Sequence, residues 1–121
     1  MRYIVCLFSA MTIACAVASN PNSVPRTYSP DMIFKNWVLS RCIAKAYSAD
    51  ATKRDAEISA SAYLEYGFSS IEMYEKGEML VDEYLARNYS GSIDGKYNTM
   101  KCIDLFHSQA LDALSRHQPS S

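Results

Sequence analysis

The sequence contains none of the short motifs by which many enzymes are recognised. It has no G-x-S-x-G turn, no C-x-x-C pair, no H-E-x-x-H helix and no glycine-rich phosphate loop. Its carboxylates fall on the predicted exposed faces of helices, where nothing raises a pKa enough to make a general acid. It also has no run of basic residues, so binding to nucleic acid lacks electrostatic support. These absences make an enzyme the weaker hypothesis and favour a binding protein.

The amino terminus has the pattern of an export signal. Residues 1–18 contain a single Arg2, an apolar run too short to span a bilayer, and a small-x-small sequence that ends at Ala18. This pattern predicts a secretory signal peptide that is cleaved after Ala18. A buried amino-terminal helix, a membrane anchor and lipidation at Cys15 are the alternatives.

Removal of that segment leaves roughly a hundred residues, which suffice for one small domain and are too few for two. The remaining chain has eleven lysines and arginines against thirteen acidic residues, a net charge of −2. Residues 19–29 are rich in proline, serine and asparagine and predict a mobile leader. We therefore expect one helical domain over residues 30–117, followed by a short tail at 118–121.

The exported protein keeps two of the four cysteines, Cys42 and Cys102. A pair of cysteines in an exported protein predicts a disulfide, which would close a loop of about sixty residues and stabilise the fold by roughly 4 kcal/mol. A metal site shared with a histidine is the alternative. However, Cys102 and His107 lie five positions apart on a predicted helix, roughly 140° from each other, and cannot face one ion. We therefore predict no metal site and no cofactor.

Residues 31–47 are predicted to form the central helix. Their apolar side chains occupy nearly the whole circumference of a helix, so the helix must be buried nearly all round. Ser29 can cap its first free N–H groups, Pro30 suits the first helical position, and Asp31 places negative charge at the positive end of the dipole. We expect the rest of the chain to cover one side of this helix and further helices or a second subunit to cover the other.

At least three more helices are predicted, and we expect an all-α domain of four to five helices in total, built around the central one. The second is capped by Asp50, runs to about Tyr66 and ends at Gly67. Its expected inward face consists of Ala51, Ile58, Ala62, Tyr63 and Tyr66, interspersed with the small residues Ala56 and Ser59, which allow close helix approach. The third opens with the capping box of Ser69 and Glu72 and runs to about Arg87. Its expected inward face consists of Ile71, Met73, Tyr74, Gly77, Leu80, Val81, Tyr84 and Leu85.

The last helix is expected to follow a cap at Asn98 and to run without a break to about residue 117. Its expected buried face consists of Cys102, Ile103, Phe106, Ala110, Ala113 and Leu114. On the same helical projection Leu105 falls among the exposed polar residues, and His107 lies at the edge of the apolar stripe. We interpret His107 as a packed, hydrogen-bonded residue, while a small exported enzyme or adaptor that uses His107 with Asp104 is the alternative.

Residues 88–97, NYSGSIDGKY, form the longest predicted break within the domain. Gly91 and Gly95 permit tight turns and close approach of the backbone to another surface, and small serines offer hydrogen bonds. Solubility does not require Tyr89, Ile93 and Tyr97 in such a loop. These side chains either recognise a partner or fold back onto the core, and the residues alone leave both interpretations open.

Three stretches of the sequence resemble a known family. They are NWVLSRCIAKA at 36–46, AYLEYG at 62–67 and YSGSIDGKYNTMKCIDLFHSQALDAL at 89–114. The chain resembles the periplasmic amidase immunity proteins of bacterial type VI secretion systems, specifically subgroup four of the Tai proteins. The similarity extends from about residue 30 to residue 116, and the run K-Y-N-T-x-K-C-I-D-x-x-H-S carries most of it.

This resemblance implies a small helical homodimer, without catalytic activity, that binds a toxin as a 2:2 complex. The implied toxin is a papain-like amidase that cuts peptidoglycan stem peptides between D-glutamate and diaminopimelate. The resemblance further implies that a loop of one subunit blocks the cleft of the toxin while a helix of the other subunit supports it. The loop maps to Tyr89, Ser90, Gly91, Ser92, Ile93, Asp94, Gly95 and Lys96, and the helix maps to Glu57, Ser61 and Glu65. The alternative of a related immunity family, the Rap type, would imply the same function.

Overall fold

The structure is a computed structural model that describes residues 27–117. The predictions for the signal peptide at 1–18, for most of the leader at 19–29 and for the tail at 118–121 lie outside these residues. Within the described part every regular element is a helix, and none is long and apolar enough to cross a membrane. The helices are α1 (Pro30–Ala46), α2 (Asp50–Tyr66), α3 (Ile71–Leu85), α4 (Asn98–Phe106) and α5 (Gln109–Ser115).

Helix α1 is the centre of the fold, as its apolar circumference predicts. All four other helices pack against it: α2 lies along it, and α3, α4 and α5 cover further parts of its surface. The Ser29 hydroxyl accepts a hydrogen bond from the Met32 N–H at 3.3 Å, and Pro30 occupies the first turn, which confirms the predicted start. The buried residues of α1 are Ile33, Phe34, Trp37, Val38, Ser40, Cys42 and Ala44.

Helix α3 approaches α1 closely at Gly77. A Cβ on this glycine would lie 3.0 Å from the ring of Trp37, and the rings of Trp37 and Tyr74 meet edge-on at 4.7 Å. Beside this apolar contact, Glu78 of α3 accepts hydrogen bonds from Arg41 and Lys45 of α1. Partial burial alone would raise the pKa of Glu78, but these hydrogen bonds from Arg41 and Lys45 lower it. The contact therefore combines an interdigitated core with a charged edge.

Helix α2 ends where predicted and begins one residue earlier, and its inward face agrees only in part with the predicted one. The residues buried along it are Ala56 and Ala60, with Tyr63 packed beside them, whereas Ile58 is 60% exposed. Small side chains at positions four apart let two helices approach closely, and this contact with α1 selects the alanine row instead of the larger residues. The predicted cap is also corrected, because Asp50 is the first helical residue and Ala49 precedes it without a side-chain hydrogen bond.

The start of α3 lies one residue later than predicted. Ser70, and not Ser69, accepts a hydrogen bond from the Met73 N–H at 3.3 Å. Ile71 is 80% exposed instead of buried. The rest of the predicted inward face packs into the core, with Met73, Gly77, Val81 and Tyr84 buried.

The predicted last helix is two helices. His107 and Ser108 separate α4 from α5, and the Ser108 hydroxyl caps α5 by accepting a hydrogen bond from the Leu111 N–H at 3.1 Å. One helical projection therefore cannot describe both segments. The predicted faces are corrected accordingly: Leu105 is fully buried and Ile103 is 50% exposed, and the buried residues are Lys101, Cys102, Leu105, Leu111 and Ser115.

A disulfide joins Cys42 of α1 to Cys102 of α4, as predicted. Both cysteines are buried in the core. The bond fixes α4 to the central helix one turn after α4 begins. It therefore orients the face of α4 that carries Leu105 inward and the face that carries Ile103 outward.

Candidate functional site

The connection between α3 and α4 is the longest non-helical segment among the described residues. Tyr89 and Tyr97 are half-buried at its two ends, and every residue from Ser90 to Lys96 between them is exposed. Ile93, near the middle, is 79% exposed. The tyrosines therefore fold back onto the domain, while Ile93 projects into solvent. Residues 89–97 are called the α3–α4 loop below.

The first end of the α3–α4 loop is fixed to α4. The Tyr89 hydroxyl donates a hydrogen bond of 2.6 Å to the Asp104 carboxylate, and this bond raises the pKa of Tyr89. The ammonium group of Lys101 lies 5.8 Å from the centre of the Tyr89 ring and donates a hydrogen bond of 3.1 Å to the Leu85 carbonyl. One buried lysine thus contacts both the end of α3 and the first aromatic residue of the loop.

Tyr97 supports the loop from beneath. It has the only positive φ among the non-glycine residues 27–117, with φ 54° and ψ 32°. This left-handed conformation directs its ring under the loop, where its hydroxyl donates a hydrogen bond to the Ile93 carbonyl. A Cβ on Gly91 would lie 2.5 Å from that hydroxyl, so any side chain there would have to displace the end of the Tyr97 ring.

This arrangement corrects the predicted role of the loop glycines. Neither Gly91 nor Gly95 has a positive φ, so neither supplies a conformation that other residues avoid. Gly91 instead leaves space for the end of the Tyr97 side chain. The residue with the strained, positive φ is Tyr97 itself, and the positions of the glycines in the sequence do not indicate this.

The second end of the α3–α4 loop is fixed to α1. The Asn98 side-chain amide donates a hydrogen bond of 2.7 Å to the Ala46 carbonyl, the last residue of α1. Next to it, the hydroxyls of Tyr47 and Thr99 are hydrogen-bonded to each other. Asn98 was expected to cap α4, and instead it ties the loop to the central helix. The loop is therefore held at both ends and in the middle, and it is a formed structure before any partner binds.

The three residues of α2 that the resemblance implicated are all exposed. Glu57, Ser61 and Glu65 recur every four positions and form one row, in which the Ser61 hydroxyl donates a hydrogen bond of 3.0 Å to the Glu57 carbonyl. Glu57 and Lys96 line the same polar groove. The structure thus brings one end of the row near the α3–α4 loop of the same chain, and Ser61 and Glu65 continue along α2 away from it.

His107 and Asp104 do not form a catalytic pair. Asp104 accepts the hydrogen bond of Tyr89, and no hydrogen bond joins it to His107. His107 is exposed, with its ring edge-on to Phe106 at 5.3 Å, and so is not the packed residue that its position in the sequence suggested. Within residues 27–117 no three histidine, cysteine or acidic side chains come close enough together to hold a metal ion.

The sequence profile of the Tai4 family, described as type VI secretion system amidase immunity proteins, matches residues 32–115. The chain is also similar to one in the structure of the effector–immunity system Tae4/Tai4 from Salmonella typhimurium. The two are 42% identical, with a TM-score of 0.73 over 78% of this chain and 93% of the other.

Two further solved structures are similar. A chain in the type VI effector–immunity complex Tae4–Tai4 from Enterobacter cloacae is 35% identical, with a TM-score of 0.66 over 74% of this chain and 91% of the other. A chain in a structure described as "New Type VI-secreted toxins and self-resistance proteins in Serratia marcescens" is 30% identical, with a TM-score of 0.75 over 89% of each chain. None of the curated proteins matches the chain significantly in sequence.

Proposed function

Because the chain belongs to the Tai4 family of type VI secretion system amidase immunity proteins, we propose that it inhibits its cognate amidase effector by inserting the α3–α4 loop into the effector's catalytic cleft. The family consists of immunity proteins and not of enzymes, so the alternative of an enzyme that uses His107 and Asp104 fails. The exposure of Ile93 on a loop held at both ends carries the proposal.

The loop suits insertion because it is already ordered. A segment that folds only on binding loses conformational entropy at that moment, and a pre-formed loop avoids most of this cost. The bond from Tyr97 to the Ile93 carbonyl and the bond from Tyr89 to Asp104 hold the backbone on either side of the tip. An apolar tip that follows the small residues Gly91 and Ser92 can enter a narrow cleft. It then excludes the substrate sterically, without taking part in a reaction.

The proposed target is an enzyme of the kind that the family resemblance implies. It is a papain-like amidase that cuts peptidoglycan between D-glutamate and diaminopimelate. Such an immunity protein acts in the periplasm, where the target bond is exposed and where a disulfide such as Cys42–Cys102 forms and persists. Export through a signal peptide at residues 1–18 completes this part of the proposal.

The proposed assembly is a homodimer that binds two effectors. In it, the row of Glu57, Ser61 and Glu65 on α2 of one subunit contacts the effector whose cleft holds the loop of the other subunit. Large apolar side chains around the turn between α2 and α3 support a contact between subunits, because Phe68 is 71% exposed and Ile71 is 80% exposed.

The test compares two exposed apolar positions. Ile93→Glu should lower the affinity for the amidase effector encoded beside this protein by thirtyfold or more, about 2 kcal/mol, because a carboxylate would enter the cleft in place of an apolar side chain. Met79→Glu changes a 69% exposed residue on α3 and should leave the affinity within twofold. Affinity is measured by calorimetry, and inhibition is measured by the release of cleaved peptidoglycan.

A second loop variant tests the shape of the loop instead of its chemistry. Gly91→Trp should also abolish inhibition, because the new side chain must displace Tyr97 and deform the tip. Circular dichroism and the melting curve should remain close to those of the wild type, since the loop contributes little to the core. Wild-type inhibition by both Ile93→Glu and Gly91→Trp would show that the effector binds elsewhere.

A further inference from the structure

Two large apolar side chains on α4 point away from the core. Met100 is 51% exposed and Ile103 is 50% exposed, and their spacing of three residues places them on one face, one above the other. The opposite face of α4 holds Cys102 and Leu105, which are fully buried. The fold therefore gains little from Met100 and Ile103, and their exposure calls for another explanation.

These two residues line a groove beside the α3–α4 loop. The groove lies between α4 and the turn that joins α1 to α2, and its remaining walls include Tyr47, Lys96 and Tyr97. Lys96 is the last exposed residue of the loop, and Tyr97 is the residue that supports the loop from beneath. The groove, called the α4 groove below, is thus continuous with the root of the loop.

The chemistry of the α4 groove suits a protein surface. Met100, Ile103 and the tyrosine rings offer apolar contact, and methionine adapts its shape to irregular partners. Lys96 and Asp104 place one charge of each sign among these walls. An apolar centre with charged groups at its edge is the usual arrangement of a specific protein–protein contact.

The size of the loop requires further contacts, beyond the proposed row of Glu57, Ser61 and Glu65 on α2 of the other subunit. Only seven consecutive residues, 90–96, are exposed between the two tyrosines, whereas a stable interface uses roughly 20–30 residues on each side. A partner that receives the loop in a cleft must bring the rim of that cleft to the root of the loop. The surface at the root that offers apolar area is the α4 groove.

We propose that the α4 groove binds the rim of the amidase effector's cleft, and that Met100 and Ile103 contact an apolar side chain there. This inference rests on the proposed function of the α3–α4 loop. It assigns part of the specificity for the cognate effector to α4, because a rim tolerates more variation than the catalytic residues at the bottom of a cleft. A second copy of the chain is the competing occupant, and the experiment separates the two.

The experiment measures both binding and oligomeric state. Ile103→Glu and, separately, Met100→Glu should each lower the affinity for the effector at least tenfold, with Met79→Glu as the control that stays within twofold. Met100 is the third residue of α4, where a carboxylate favours the helix dipole, so this variant should keep the fold even if Ile103→Glu does not. Light scattering should give the same mass for the free variants as for the wild type.

Each other outcome overturns the inference in a recognisable way. If both α4 variants bind the effector with wild-type affinity while Ile93→Glu binds it more weakly, the effector contact is confined to the loop. A lower mass of the free α4 variants would assign the groove to contact between subunits. Wild-type affinity of the α4 variants and of Ile93→Glu would overturn the proposed function together with this inference.

Discussion

Gly77 determines how closely α3 approaches the central helix. Its backbone lies against the side chains of Phe34, Trp37 and Val38, and a Cβ there would come within 3.0–3.3 Å of all three. In a close-packed interior such neighbours have little free space to move into. The absence of a side chain at this one position therefore lets the aromatic cluster of α1 pack directly on the backbone of α3.

We expect Gly77→Val to lower the free energy of unfolding by about 1–3 kcal/mol, because overpacking displaces core side chains. Gly95→Ala is the matched control, since the nearest atom to its new Cβ is 4.0 Å away and the position lies in the exposed loop. Urea unfolding followed by circular dichroism measures both. A Gly77→Val protein as stable as Gly95→Ala would show that α3 can move away from α1 without loss.

Tyr97 shows how far single residues could be interpreted from the sequence. An aromatic residue that closes a glycine- and serine-rich loop indicates either recognition or packing, and the sequence left both open. In the structure Tyr97 packs, and it does so in a left-handed conformation that costs roughly 1–3 kcal/mol for a non-glycine residue. Its contacts with Gly91 and Ile93 depend on the folded path of the loop, which local sequence patterns do not encode.

At the scale of elements, two adjacent serines at the start of α3 have different roles. Ser70→Ala should destabilise the protein by about 1 kcal/mol, because it removes the hydrogen bond to the Met73 N–H. Ser69→Ala should be neutral or stabilising, since the Ser69 hydroxyl is buried and has no hydrogen-bond partner among the described residues. The midpoints of chemical unfolding distinguish the two variants, and the opposite order would restore Ser69 as the cap.

The bounds of α1, α2 and α3 could be predicted to within one or two residues because their ends carry specific residues. Proline after Ser29, glycine after α2 and a serine before α3 each leave few alternatives for the backbone. The break between α4 and α5 was missed because a serine inside an apolar pattern can either cap a new helix or face solvent. Only the hydrogen bond from Leu111 to Ser108 decides between them.

The inward faces were harder to predict than the bounds. Helix α2 has apolar residues on more than one face, and the contact with α1 selects Ala56 and Ala60 while Ile58 stays outside. On α4 the same kind of choice buries Leu105 and exposes Ile103. Hydrophobicity alone favours the larger residue in the core, whereas close helix packing and the disulfide favour the face that fits. Of the residues that line the α4 groove, Ile103 was misassigned to the core.

At the scale of the whole molecule, the disulfide holds together parts of the chain that are far apart in sequence. Cys42 and Cys102 are separated by 60 positions, and the segment between them contains α2, α3 and the α3–α4 loop. The two cysteines and the loop could be identified from the sequence, because a cysteine pair behind a predicted signal peptide and a glycine-rich break are both visible in it. The path by which the loop returns to α1 and α4 needed the tertiary structure.

We expect the double variant Cys42→Ala with Cys102→Ala, made without residues 1–18, to lose roughly 4 kcal/mol of stability, because the unfolded chain regains the entropy of a loop of about sixty residues. That loss is a large share of the 5–15 kcal/mol that is typical of a small domain, so the melting temperature should fall markedly. The native wild type should show no reactive thiol, and reductant added with denaturant should release two. Two thiols in the native protein without denaturant, or a double variant that melts with the wild type, would contradict this account. Either result would mean that helix packing around α1 suffices to hold α4, and with it the α3–α4 loop, in place.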